Sequence, residues 1–124
     1  MADANAQALP HDDLIFDWNE FGRKGRVIPK GIELFDETLR DGLQNPSVED
    51  PGIDKKLQLL HLMAANGIHV ADIGLPGSSQ RAFDDCLRMC KEIRDNKLPL
   101  RVAFAGRTVV ADVTPMVEIS QQVG

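Results

Sequence analysis

Three short apolar runs, each followed by a stretch of helical periodicity, constrain this chain more than any other feature. The runs begin at Ile32, His69 and Leu100, so their starts are spaced by roughly 31 to 37 residues, the size of one strand–helix–strand unit. Repeated units of this kind build a parallel sheet with right-handed crossovers. The predicted order is β-α-β-α-β-α, an α/β fold.

Local signals place the elements. Pro29-Lys30-Gly31 is a turn ahead of a first strand over Ile32–Phe35. A loop over Gly42–Gly52 carries Pro46 and Pro51. A helix then starts near Ile53 or Asp54, with Ile53, Leu57, Leu60 and Ala64 on one face and Asn66-Gly67 as its stop. The second strand, His69–Gly74, is apolar except for Asp72. Pro76-Gly77-Ser78-Ser79 is a turn that offers a serine N-cap to a helix running to about Asp95. The buried stripe of that helix is Phe83, Cys86, Leu87, Cys90 and Ile93. Its mostly solvated face carries Arg81, Asp85, Arg88, Lys91 and Glu92. A third strand over Leu100–Ala105 ends at Gly106-Arg107. Thr114-Pro115 reads as cap and first residue of a last helix, with Met116, Val117, Ile119, Ser120 and Val123 facing inward.

A parallel sheet needs cover on both faces. Three strands with three helices are few for that, so residues 32–124 are expected to be the N-terminal part of a larger α/β domain. Residues 1–31 form a lead-in. Its first 13 residues read as disordered, and Phe16, Trp18 and Phe21 read as a plug over one end of the domain.

Composition narrows the function classes. The net charge is −5, and no block of Lys or Arg stands out, which argues against nucleic-acid or membrane-surface binding. No apolar run approaches the roughly 18 residues of a membrane span. Met1–Pro10 lacks the basic and hydrophobic regions of a secretory signal. Cys86 and Cys90, four apart on a helix, read as core thiols suited to a reducing cytoplasm.

The chemistry is concentrated in Phe35-Asp36-Glu37-Thr38-Leu39-Arg40-Asp41-Gly42-Leu43-Gln44. This places charge at the carboxyl end of a strand, where α/β sheets and barrels put their active sites. Asp41 is a hard oxygen ligand for Mg²⁺, Mn²⁺ or Zn²⁺. Arg40 presents a planar fork to a carboxylate or an enolate oxygen. Gln44 can hydrogen-bond a substrate. On spacing alone, a strand-end salt bridge followed by a turn explains Arg40 and Asp41 as well.

The same stretch resembles the D-x-T-L-R-D-G-x-Q signature of the DRE-TIM metallolyases. These include 2-isopropylmalate, homocitrate and citramalate synthases and 3-hydroxy-3-methylglutaryl-CoA lyase. The resemblance covers about residues 32–124, with Asn66-Gly67-Ile68 and Gly74-Leu75-Pro76 following in order. It implies the first three βα units of a (β/α)₈ TIM barrel, with Asp41 as a metal ligand and Arg40 stabilising an enolate. It also implies a divalent metal and acetyl-CoA, condensed with an α-keto acid in amino-acid biosynthesis, or carbon–carbon cleavage in the lyase branch. Thr38-Leu39 matches the synthases and Leu43-Gln44-Asn45 the lyases.

Two departures stand out. Asp72 occupies the place of a strand-two glutamate that pairs with the motif arginine, and its reach is shorter by about 1.5 Å. The family's late His-x-His ligand pair has no counterpart here; His61 and His69 read as structural or exposed. The expected site is therefore Arg40 and Asp72 as catalytic residues, Asp41 on metal, and Gln44 and Arg107 on substrate. The rest of the barrel would complete it in a cytoplasmic homo-oligomer. In isolation, the chain would be a non-catalytic fragment.

Overall fold

Each apolar run becomes a short strand and each periodic stretch a helix in the computed structural model, which describes residues 30–124. The expected disorder at the N-terminus and the aromatic plug lie outside the described residues. The strands are β1 (Phe35–Asp36), β2 (Val70–Asp72) and β3 (Arg101–Ala103), and the helices are α1 (Ile53–Ala65), α2 (Gln80–Asp95) and α3 (Val110–Val123). The sheet order is β1-β2-β3 and both pairings are parallel. Asp36 lies beside Ala71, and Asp72 beside Ala103, so the strands end together.

The core forms where helix stripes meet the sheet. Leu60 and Met63 of α1, Ala71 and Ile73 of the β2 segment, Cys86, Met89, Cys90 and Ile93 of α2, and Ile119 of α3 are buried in it. Sidedness explains the β2 pattern. Ala71 and Ile73 point to one face and Asp72 to the other, yet all three are buried, as in a sheet covered on both sides.

Three sequence expectations shift. The first strand pairs at Phe35–Asp36 rather than over Ile32–Phe35, although the Leu34 carbonyl already accepts from the N–H groups of His69 and Val70. Within these three strands it lies at one side of the sheet, and Ile32, Leu34 and Phe35 are at least half exposed. Asp85, expected on a solvated face, is instead drawn down onto Lys56 Nζ at 2.9 Å. The third helix begins at Val110, about a turn before Thr114-Pro115.

The cause of the last shift is Asp112. Its carboxylate accepts from the Arg107 backbone N–H at 2.8 Å, and from Arg107 Nε and Nη2 at 2.9 and 3.0 Å. Those bonds hold the Asp112 carboxyl down at about 2 and pin the first turn of α3. Pro115 then falls inside the helix, where it lacks the N–H that the Ala111 carbonyl would have received. Gly77 lets the preceding loop lie against that turn; a Cβ there would sit 3.0 Å from Asp112 Cα and 3.1 Å from the Ala111 oxygen. The inward line becomes Asp112, Met116, Ile119 and Val123, and Val117 is left exposed.

Cys86 and Cys90 behave as the core thiols their spacing suggested. Both are buried and free. Burial pushes them up to about 12 and about 11. The thiolate is the reactive form, so both are expected to resist iodoacetamide at pH 8 in the folded protein and to react once it unfolds. Alkylation followed by mass spectrometry across a urea series checks this; labelling before the unfolding transition would contradict it.

Candidate active site

The site starts from one turn. The Asp36 carboxylate accepts from the Thr38 N–H at 2.8 Å, and the Glu37 carbonyl accepts from the N–H groups of Arg40 at 3.1 Å and Gly42 at 3.2 Å. Asp41 has helical dihedrals and leads into a 3-10 turn over Gly42–Gln44. Wound this way, residues 37, 40 and 41 stand in the i, i+3, i+4 relation that brings side chains together.

Three carboxylates converge on the Arg40 guanidinium. Nε donates to Asp72 Oδ2 at 3.0 Å, Nη1 donates to Asp41 Oδ1, and Nη2 donates to Glu37 Oε2. Asp72 is buried on β2, and its second oxygen accepts from the Gly74 N–H at 3.2 Å. Gly74 adopts φ +135°, and a Cβ there would press on Cys86 Sγ at 3.2 Å, so glycine suits both the turn and the packing. Formally, three carboxylates against one guanidinium leave two negative charges. The strain of that crowding shows at Glu37, whose carboxyl is raised above its ordinary value by its hydrogen bond with Asp41 and by partial burial. The Asp72 hydrogen bond raises Arg40 further and keeps it cationic.

A guanidinium carries five N–H donors. Three are engaged here, leaving one on each terminal nitrogen for an incoming oxyanion. Arg40 also lines a concavity of about 260 Å³ with Leu39, Leu43, Gln44, Ile73 and Leu75. Gln44 therefore shares a wall with Arg40. Arg107 does not line this space. It sits after β3, and its fork is committed to Asp112.

Lys56 also lines the concavity. It is buried on α1 and bridges Asp50 Oδ1 at 2.8 Å and Asp85 Oδ2 at 2.9 Å, while Arg81 reaches Asp50 Oδ2 at 2.9 Å. Burial pushes Lys56 down, and the bonds to Asp50 and Asp85 more than reverse that. This network ties the far end of the loop that carries Gln44 to both α1 and α2. Neither Glu37 nor Lys56 was singled out from sequence. The spacing of Glu37 to Arg40, i to i+3, signals the first. The second was detectable as a lysine interrupting the apolar face between Ile53 and Leu60.

The profile of the HMGL-like family matches residues 31–122. The chain belongs to the HMGL-like family. The three-strand parallel sheet is accordingly the first three βα units of a (β/α)₈ barrel. Among curated relatives, 2-isopropylmalate synthase of Sulfolobus acidocaldarius is 33% identical over 87 residues, 70% of this chain and 22% of the relative. A 2-isopropylmalate synthase 1 of Caldanaerobacter subterraneus is 34% identical over 84 residues, covering 68% and 20%. The 2-isopropylmalate synthase of Pyrococcus furiosus is 35% identical over 82 residues, covering 66% and 15%. The chain spans about a fifth or less of the length of these relatives. No solved structure gives a significant match.

A divalent cation is what this family implies, and the donors fit it in kind. Asp41 is exposed at the strand end, and the cluster around it holds more negative charge than Arg40 neutralises. They fall short in number: among the described residues, no group of three His, Cys, Asp or Glu side chains is arranged to hold a metal. Also among those residues, no helix is long and apolar enough to cross a membrane.

Proposed function

We propose that residues 32–124 are the opening part of the catalytic barrel of a divalent-metal-dependent acyltransferase that condenses acetyl-CoA with an α-keto acid. The observation that carries this reading is the convergence of Asp41, Asp72 and Glu37 on Arg40 at the carboxyl ends of β1 and β2. The similarity to 2-isopropylmalate synthases supports it.

Asp41 would hold the cation together with ligands beyond the described residues. The cation, when bound, supplies Lewis acidity toward the keto-acid carbonyl. Arg40 supplies two free N–H donors to an enolate or alkoxide oxygen, a preorganised stabilisation of developing charge. Asp72, buried and bonded to the Gly74 N–H, anchors the guanidinium at Nε. Gln44 orients substrate in the shared concavity. Arg107, with one terminal nitrogen free of Asp112, offers its outer edge to a substrate carboxylate. A lyase of the same superfamily is the second reading, favoured by Leu43-Gln44-Asn45 beside the turn.

The test uses the full-length protein with acetyl-CoA, Mn²⁺ and a panel of α-keto acids, following release of free CoA. Release with at least one keto acid is expected, and its absence across the panel counts against the synthase. Cleavage of a 3-hydroxyacyl-CoA without condensation selects the lyase. Asp41→Asn is expected to lower activity by about a hundredfold or more and to weaken Mn²⁺ binding in calorimetry, with the thermal unfolding midpoint little changed. Unaltered Mn²⁺ affinity would remove Asp41 from the metal site.

A further inference from the structure

We propose that Glu37 is a positioning residue for Arg40, supplying the second fixed point that orients the guanidinium toward substrate. This rests on the functional reading above for what Arg40 faces, though not for how Arg40 is held.

The argument begins with what Asp72 cannot do. An arginine fork is fixed in plane and angle when two of its nitrogens meet a carboxylate. Asp72 reaches only Nε, through Oδ2, while Oδ1 faces the Gly74 N–H. A single bond at Nε leaves the terminal nitrogens free to swing. Asp41 restrains Nη1, but that carboxylate is also the one assigned to the cation, and an oxygen shared with a divalent ion is a weaker acceptor for Arg40. Nη2 is left to Glu37.

Glu37 is built for this. Its backbone carbonyl accepts from both Arg40 and Gly42, so the residue is the pivot of the turn that presents Arg40 and Asp41. Its side chain reaches back along that turn to Nη2. Glu37 is only partly covered, at 43% side-chain exposure, so its carboxylate can be replaced without opening the core. An ordinary exposed i, i+3 ion pair would contribute little. Here the partner is a guanidinium already fixed at Nε by a buried aspartate, so the added contact sets direction more than stability.

The experiment compares Glu37→Ala and Glu37→Gln with the parent in the full-length protein. NMR of ¹⁵N-labelled arginine reads rotation about the Arg40 Cζ–Nη2 bond, and kinetics read kcat and KM separately. In Glu37→Ala the slow-rotation signal of Nη2 is expected to collapse. The expected fall in kcat is about thirtyfold, with KM for the keto acid within about twofold, since misplacement by about 1 Å is costly to the chemical step. Glu37→Gln retains an acceptor oxygen and is expected to recover most of both. Asp72→Glu placed in the Glu37→Ala background, with a longer reach, is expected to restore part of kcat. Unchanged Nη2 rotation in Glu37→Ala overturns the proposal, as does a loss that appears in KM alone. Collapse of the Nη2 signal in a protein that shows no condensation supports the positioning role and sinks the functional reading instead.

Discussion

Arg40→Gln is expected to lower turnover by about a thousandfold while tightening divalent-cation binding by about tenfold. The two effects have opposite signs because Arg40 stands between two demands. Toward substrate it offers two free N–H donors, and loss of one oxyanion donor costs about 10²–10³ in kcat. Toward a cation it is a like charge, bonded to three carboxylates that the cation would otherwise attract. A unit positive charge that close repels a cation even at the effective dielectric near a protein surface. Arg40 and Asp41 are both partly exposed, so solvent screens most of that, and a tenfold gain is the expected remainder. Mn²⁺ titration by calorimetry and steady-state kinetics on the same preparation check both halves. A variant that turns over normally, or binds Mn²⁺ more weakly, would mean that Arg40 and its carboxylates are a structural ion-pair cluster.

Most of the frame was legible because it is repetitive. Apolar runs at regular spacing and the Ser79 cap, which accepts from the Ala82 N–H at 3.1 Å, reported α/β order from local signals. The motif around Arg40 and Asp41 was legible because seven residue types are specified within nine positions. What sequence could not report was competition between elements. Thr114-Pro115 is a good helix start in isolation. The carboxylate of Asp112 and the backbone of Arg107, five residues earlier, start the helix first. Pairings that cross the fold were equally silent. Arg40 and Asp72 are 32 residues apart, and the expectation that they meet came only from resemblance. Lys56 and Asp85, 29 apart, gave no local sign of meeting at all. Arg107 is a further case, since its position at a strand end suggested a substrate ligand but gave no sign that its Nε and Nη2 are bonded to Asp112.

Lys56→Met is expected to destabilise the fold by about 3 kcal/mol, at the low end of the range for removing one partner from a buried ion pair. The methionine would fill the volume, so the loss would come from charge. Asp85, only 15% exposed at its side chain, would lose the ammonium 2.9 Å away and be left with Arg81 Nε, which stands at 3.9 Å. Asp50, more exposed and still bonded to Arg81, would suffer less. The asymmetry yields a second arm. Lys56→Met combined with Asp85→Leu removes the stranded carboxylate, and replacing both members of a buried pair by apolar groups is often near neutral. The double variant is therefore expected to regain most of the lost stability in urea unfolding. It would not regain what the network does for the site, because Asp50 would then tie the loop only to α2, and KM for the keto acid is expected to rise through a looser Gln44. Equal stability loss in single and double variants would mean that a stranded Asp85 carboxylate is not the source of the loss, and the charge argument for Lys56 would fail.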